Sequence, residues 1–265
     1  MKAHILGDKR TWNKIELDSE LIERLNREAE QEKPSTKKKP QPEPPTTITP
    51  SSTDSSLFWT FNGVNYRNEI YNVDLSKTLL DNGTAKTQQS WAEYSEEAMK
   101  RNDFYTADMP LYHSLFTTLS KLQTQEAQEA REFIKKQMRE KWLTTLTRIA
   151  YQPVGKDKII HNYGTGNKYE LEENIVEKTR IIEAADSSAL KALLGTDNIN
   201  EINSVYQILN STPTFIWRLN SKPDSIDERV AGFYAGSDRV SLSCNRNSAV
   251  AYPSLGVRSC REAAR

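Results

Sequence analysis

The sequence lacks the features that mark membrane proteins and disulfide-rich secreted proteins. No stretch approaches the roughly 18 consecutive apolar residues of a membrane-spanning helix, so we expect no membrane insertion. Only two cysteines occur, Cys244 and Cys260, too few for a disulfide scaffold and without the spacing of metal ligands, and we expect free thiols. The first ten residues turn polar too early for a signal peptide, which predicts synthesis in the cytoplasm.

Net charge is also lacking. The 36 basic and 36 acidic side chains balance, and the pI is about 6.9. Nucleic-acid affinity comes mostly from clustered Lys and Arg, so no specific nucleic-acid partner is expected. Hydrophobic residues make up 36% of the chain and the mean hydropathy is −0.73, which indicates that part of the chain is not packed.

Motifs of catalysis and metal binding are missing as well. The three histidines, His4, His113 and His161, are far apart in sequence, and no Gly-rich phosphate loop, zinc-protease motif or hydrolase serine motif occurs. We expect His161 to satisfy hydrogen bonds within the scaffold. The calcium-site motifs of sugar-binding lectins are absent too. The sequence therefore predicts no catalytic residues, no metal and no cofactor.

Composition divides the chain into three parts. Residues 1–32 contain an amphipathic pattern over 16–31, either a helix that docks on a partner or one that frays in isolation. Residues 33–56 are rich in Pro, Lys, Thr and Ser, which is typical of a flexible linker. Folded character begins near Leu57, and residues 57–265 are expected to form one folded domain.

Hydrophobic periodicity predicts a domain of the α+β class with a largely antiparallel, twisted sheet and flanking helices. Asn62-Gly63 indicates a hairpin turn. Ser90 and Glu93 predict a capping box ahead of the helix over 91–100. Trp142 and Trp217 are interpreted as core residues, with ligand stacking as the alternative. Further helices are predicted over 109–122, 126–141, 187–194 and 198–209, and strands over 143–151, 158–161, 215–219, 230–235, 239–244 and 255–259.

The segment from Val230 to Asn245, a predicted hairpin, is the most informative part of the sequence. Successive side chains of a strand point to opposite sides, so the alternating residues here form two faces of different chemistry. The turn is Gly236-Ser237-Asp238. The expected inward residues are apolar: Ala231, Phe233, Ala235, Val240, Leu242 and Cys244. The expected outward residues are of mixed size and chemistry: Gly232, Tyr234, Arg239, Ser241, Ser243 and Asn245.

The same region has an unusual composition. Lys, Glu, Gln, Met and Trp are common elsewhere but none occurs from Arg229 to Arg261. Random replacement of the two adenines in an Asn codon never yields these five residue types, whereas it does yield every outward residue. The predicted variable surface, within a variable region of about 230–258, is Gly232, Tyr234, Ser237, Asp238, Arg239, Ser241, Ser243, Asn245, Arg246, Asn247, Ala249, Val250, Ala251 and Tyr252. Among these, Tyr234, Arg239, Arg246 and Tyr252 are the expected hot spots.

Four segments carry a family resemblance: 148–153 (RIAYQP), 157–164 (DKIIHNYG), 215–223 (FIWRLNSKP) and 254–258 (SLGVR). In this order they resemble the variable proteins of diversity-generating retroelements found in archaea and their viruses, over roughly residues 57–261. In that family an error-prone reverse transcriptase copies a template repeat, mutates its adenines and replaces the 3′ end of the gene.

The resemblance implies a C-type-lectin-like fold whose hypervariable surface binds a ligand, a function in receptor recognition rather than catalysis. The expected partner is a protein or glycan on a cell or virion, and the protein itself would be virion-associated or displayed by another route. Two alternatives stay open. One is an enzyme of the related formylglycine-generating-enzyme-like fold, and the other is a structural virion protein.

Overall fold

The computed structural model describes residues 56–154, 157–165, 170–174, 180–183, 187–218 and 223–261. The predicted N-terminal segment and almost all of the predicted linker lie outside these ranges, so both stay predictions. Within the ranges the chain is mixed α+β with twisted, antiparallel-rich sheets, which confirms the predicted class. None of the helices described is long and apolar enough to cross a membrane.

The strands and helices come in runs along the described chain. In order they are β1 Phe58–Tyr66, β2 Glu69–Leu79, α1 Gln88–Lys100, α2 Met109–Lys121, α3 Gln125–Glu140, β3 Leu143–Tyr151, β4 Asp157–His161, β5 Glu170–Asn174, β6 Arg180–Glu183, α4 Ser187–Leu194, α5 Ile199–Asn210, β7 Thr214–Arg218, β8 Asp227–Ala235, β9 Val240–Asn247 and β10 Leu255–Arg261.

The strands among the described residues form two sheets. A three-stranded sheet has the order β1-β2-β10, so strands from the two ends of the domain lie side by side. A seven-stranded sheet has the order β5-β4-β3-β8-β9-β7-β6. All neighbouring strands are antiparallel except β7 and β9, which are parallel.

Helix α2 is buried along most of its length. Its N-cap is Asp108, whose Oδ1 accepts the Leu111 N–H at 2.9 Å. The other carboxylate oxygen accepts the Tyr66 hydroxyl at 2.7 Å and Arg67 Nη2 at 3.0 Å. Asp108 is fully buried, and a buried carboxylate is tolerated when it is paired and hydrogen-bonded in this way. The contacts fix the end of the β1–β2 hairpin against the start of α2.

This contact explains why the predicted hairpin has its turn elsewhere. The turn is at Arg67-Asn68, whose φ angles are 55° and 62°, and not at Asn62-Gly63. Gly63 lies within β1 at a register shift, where its φ of 74° suits a β-bulge. The tertiary contacts to Asp108 hold the chain at Arg67, so the local turn signal is overridden.

Helix α1 begins earlier than predicted. Its N-cap is Thr87, whose Oγ1 accepts the Ser90 N–H at 3.2 Å, so the predicted capping box of Ser90 and Glu93 is wrong. Gln88, now inside the helix, donates its Nε2 to the carbonyls of Thr145 and Thr147 at 3.0 and 3.1 Å. Because α1 starts earlier, its first turn contains a side chain that donates hydrogen bonds to backbone carbonyls in the middle of β3.

The remaining predicted helices and all six predicted strands are confirmed, with boundaries shifted by a few residues. Strands β2, β5 and β6 were not predicted. Strand β3 is buried along its whole length because both of its faces are covered. The main core lies on one side, and a small cluster of Leu80, Trp91, Ala92 and Leu146 lies on the other.

Candidate functional site

The inner side of the β8–β9 hairpin is part of the main core. Phe233 is fully buried, and its ring centroid lies 6.0 Å from that of Tyr112, 5.5 Å from Phe116 and 6.5 Å from Tyr206. These partners belong to α2 and α5, so aromatic packing fixes the hairpin to the helices. The predicted inward set is confirmed, since each member is at most 4% exposed: Ala231, Phe233, Ala235, Val240, Leu242 and Cys244.

The outer side is more varied in exposure than predicted. The fourteen predicted surface residues fall into three classes, which are exposed (Ser237, Asp238, Asn247, Ala249, Val250 and Ala251), half-buried (Tyr234, Arg239, Ser241, Asn245 and Tyr252) and buried (Gly232, Ser243 and Arg246). The expectation of a solvent-exposed side chain is therefore wrong at Ser243 and Arg246, and Gly232, which has no side chain, is buried as well.

A register shift determines on which side of the sheet Arg246 lies. Gly232 pairs with Ser243, whereas Val230 pairs with Arg246, so β9 contains one residue more than β8 between the two pairs. A bulge of this kind changes the phase of the alternation. Arg246 consequently joins Val230, Gly232 and Tyr234 on the outer side of the sheet.

Arg246 lies on the outer side of the sheet but is only 5% exposed. Its Nη1 donates to the carbonyl of Leu143 at 3.0 Å, and its Nη2 donates to the carbonyl of Phe233 at 3.0 Å. Burial lowers the pKa of its guanidinium to about 9, which still leaves it charged at neutral pH. Arg246 thus connects β3, β8 and β9 and is a structural residue.

Gly232 is required by the same arrangement. A Cβ at this position would lie 2.3 Å from the carbonyl oxygen of Leu143 and 2.9 Å from Nη1 of Arg246. The backbone of β3 and the guanidinium already occupy the space that any side chain would need. Gly232 and Arg246 are therefore coupled, and neither is free to vary independently of the other.

Trp142, interpreted from the sequence as a core residue with ligand stacking as the alternative, lies beside the predicted surface residues. It lies between α3 and β3, and it is 41% exposed, so its interpretation as a core residue is wrong. Its ring stacks on Tyr234, with centroids 4.2 Å apart and an interplanar angle of 12°. The guanidinium carbon of Arg246 lies 4.3 Å from the centroid of the same indole and 4.8 Å from that of Tyr252. Together, Tyr234, Trp142, Arg246 and Tyr252 form an aromatic-cation stack, a term we use for these four residues.

The loop after β9 is anchored at both ends while its middle is exposed. Asn247 begins it, and its Oδ1 accepts the Ala249 N–H at 2.9 Å. Tyr252 ends it by exchanging backbone hydrogen bonds with Lys86 and by accepting the Trp91 indole N–H at 2.7 Å on its carbonyl. Residues 249–251 between these anchors are exposed, so their side chains can change with little effect on the scaffold.

Around the hairpin turn the charged residues are paired with each other. Arg239 forms an ion pair with Asp238 at 2.8 Å, and its guanidinium lies 5.4 Å from the ring centroid of Phe215. Both charged side chains are partly solvated, so this pair contributes little to stability.

We use the name outer surface for the half-buried and exposed members of the fourteen predicted surface residues, together with Trp142.

The two described histidines are built into the scaffold. Thr147 Oγ1 is 2.9 Å from His161 Nδ1, and His161 Nε2 is 3.0 Å from the carbonyl of Ala192. These partners fit a neutral ring that donates from Nε2, as predicted for a structural histidine. His113 Nδ1 lies 3.3 Å from the Tyr206 hydroxyl. Burial lowers the pKa of each imidazole to about 4.

Groups of three or more metal-ligating side chains do not occur in the part of the chain that the structure describes. The Cys244 thiol is buried beneath the hairpin, 3.8 Å from the Leu242 carbonyl. The side chains of Cys260 and Trp217 lie outside the described residues. What this site offers chemically is a surface of aromatic rings, hydroxyls and amides.

Comparison of the chain with protein-family models, with curated protein sequences and with solved structures returned no match in any of the three. The outer surface is therefore interpreted from its own geometry.

We predict that Gly232→Ala lowers the free energy of unfolding by about 1 to 3 kcal/mol, because the new methyl group overlaps the Leu143 carbonyl. The matched control is Gly236→Ala in the hairpin turn, where the nearest atom is the terminal Asp238 Oδ1 at 3.1 Å. We expect the control to stay within about 0.5 kcal/mol of the wild type. Urea denaturation measures both, and equal effects would contradict the close approach of the Leu143 carbonyl to Gly232.

We also predict that the free energy of unfolding falls by about 2 to 4 kcal/mol between pH 7 and pH 5, because both buried histidines stay neutral in the native state. In the unfolded state they bind protons below about pH 6.5, whereas the folded pKa is about 4. Stability is therefore lost as the pH falls through this window. His113→Phe should remove about half of the dependence. A pH-independent stability from pH 7 to pH 5 would show that the imidazoles take up protons while folded.

Proposed function

We propose that the chain is a diversified ligand-binding protein of a diversity-generating retroelement, which presents a hypervariable surface on a C-type-lectin-like scaffold. The observation that carries the proposal is the division of the β8–β9 hairpin. Its inward residues are buried in the main core, whereas Tyr234, Ser241 and Asn245 on the other side are half-exposed. One pair of strands thus combines a fixed side with a side that can change.

The energetics of the two sides support this function. Trimming a buried residue such as Phe233 or Leu242 costs about 2 to 5 kcal/mol through lost burial and cavity formation. Substitutions at exposed positions usually stay within about 0.5 kcal/mol. Selection for a new ligand can therefore act on the outer surface without loss of the fold, since the strands hold the backbone in place.

The chemistry of the outer surface also fits recognition. Tyr234 and Tyr252 offer large contact area with few rotatable bonds, and Ser241, Asn245 and Asn247 offer adaptable hydrogen bonding. The same residue types dominate antibody binding loops for the same reasons. All five can arise from an Asn codon by replacement of adenines, which links the surface to the diversification mechanism.

The structure narrows the set of positions proposed to vary. Gly232 and Arg246 are held to each other and to Leu143, and Ser243 is buried. We therefore assign diversification to the exposed and half-buried positions, and a fixed structural role to the three buried ones. Of the expected hot spots, Tyr234, Arg239 and Tyr252 remain contact residues, whereas Arg246 supports them from below.

The scaffold and partner parts of the proposal follow from the family resemblance. An α+β domain with antiparallel-rich sheets, in which β2 pairs with β10, is compatible with a C-type-lectin-like fold. The partner is a protein or glycan on a cell or virion. Several copies on one assembly would raise a modest single-site affinity through avidity.

The DNA beside the gene tests this function. We expect a near-copy of the codons for about residues 230–258, located near a reverse-transcriptase gene and differing from the gene only where the copy has adenine. Differences that change amino acids should fall at codons such as those of Tyr234, Ser241 and residues 249–251. The codons at positions 232 and 246 should still encode Gly and Arg, because Gly232 and Arg246 stabilise the scaffold.

Differences at positions where the copy has no adenine would contradict diversification. Frequent amino-acid changes at Gly232 and Arg246, in genes whose products fold, would contradict the division into fixed and variable positions.

A further inference from the structure

The arginines of the β8–β9 hairpin and of the neighbouring strand β3 differ in whether they form an ion pair. Three of the four form ion pairs: Arg148 with Glu228 at 2.7 Å, Arg229 with Asp227 at 3.0 Å and Arg239 with Asp238 at 2.8 Å. Among the residues that the structure describes, no carboxylate pairs with the fourth, Arg246.

The groups around Arg246 stabilise its positive charge without neutralising it. The carbonyls of Leu143 and Phe233 accept two of its hydrogen bonds, and the rings of Trp142 and Tyr252 cover it. Its Nε is buried and has no hydrogen-bond partner among the described groups. Carbonyl dipoles and ring quadrupoles stabilise a cation, but they leave its net charge unchanged.

The position of this charge matters for a ligand. Arg246 lies directly behind two aromatic residues of the outer surface, away from bulk water. A charge in such a low-dielectric layer acts over several ångströms far more strongly than the same charge in solvent. The outer surface therefore attracts a negative group that reaches its aromatic centre, although the ligand would not touch the guanidinium.

The arrangement of side chains indicates the kind of partner. Trp, Tyr and Arg form the aromatic-cation stack. Small side chains lie next to it, with Ser241 paired with Tyr234 across the hairpin and the exposed Ala249 and Ala251 shortly before Tyr252 in the chain. Protein interfaces have this anatomy, with aromatic and Arg hot spots at the centre and less energetic contacts around them. A rim that includes exposed apolar residues, among them Val250 at 44% exposure, favours a protein surface over a glycan.

Resting on the function proposed above, we propose that the outer surface binds an acidic segment of a protein partner, with Trp142 as a constant contact. Trp142 precedes the region without Lys, Glu, Gln, Met and Trp, and the Trp codon contains no adenine. Adenine mutagenesis therefore leaves it unchanged in every variant. Trp142 and Arg246, the two members of the aromatic-cation stack that do not vary, then set a shared preference for acidic segments, while the variable positions choose among them.

The test uses the full chain as bait for a phage-displayed library of random linear peptides. We expect the selected peptides to be enriched in Asp and Glu relative to the unselected library. Synthetic versions should lose at least about tenfold in affinity for Trp142→Ala, the size of effect typical of a hot spot. The matched control is Ile208→Ala on α5, also an exposed large apolar residue at 48% exposure, which should change the affinity less than about twofold.

The charge part is tested on the peptide as well as on the protein. Replacing the Asp and Glu of a selected peptide with Asn and Gln should weaken binding to the wild type at least about tenfold. In Arg246→Met the same replacement should have a much smaller effect. Should that variant fail to fold, the peptide replacements and the loss of affinity with added salt still test the charge.

The outcomes separate this inference from the proposed function. Peptides that depend on Trp142 but carry no excess of Asp and Glu would overturn the acidic preference and leave the function standing. No peptide binding, together with binding to a glycan array that Trp142→Ala abolishes, would overturn the protein partner. Peptides insensitive both to Trp142→Ala and to Tyr234→Ala would contradict the outer surface as the binding site, and with it the proposed function.

Discussion

Aromatic packing beneath the β8–β9 hairpin is the interaction on which the rest of the structure depends. Phe233 lies among Tyr112, Phe116 and Tyr206, so β8 is fixed against α2 and α5 by buried rings. Because side chains in a strand alternate between the two sides, fixing the inner side also fixes where the outer side chains point. A binding surface can then change its residues while its backbone stays in place.

A second layer of support lies on the outer side itself. Arg246 joins three strands through carbonyl groups, and Gly232 leaves the space that its guanidinium needs. The cation has no ion-pair partner in the described part of the chain, although its neighbouring arginines have one each. Arg246 contacts Trp142 and Tyr252, and its positive charge lies behind their rings. In the proposed function this one residue therefore serves both stability and recognition.

Local patterns predicted the inner side of the hairpin, because alternation is a property of a single strand. They did not predict that Arg246 is buried, since its position depends on a bulge in the hairpin and on the pairing of β8 with β3. The exposure of Trp142 likewise follows from the register that pairs Leu143 with Phe233. The turn at Arg67 depends on the distant carboxylate of Asp108. Strand β2, in contrast, could have been predicted from the sequence, because its polar and apolar residues alternate.

The central claim is that fold maintenance and ligand choice occupy opposite sides of one sheet, apart from a few supporting residues. A saturation mutagenesis scan of residues 230–252, read out as resistance of each variant to proteolysis, tests it most directly. The account predicts low tolerance at Phe233, Leu242 and Arg246 and broad tolerance at Tyr234 and Ser241. Equal intolerance on both sides of the strands would contradict it.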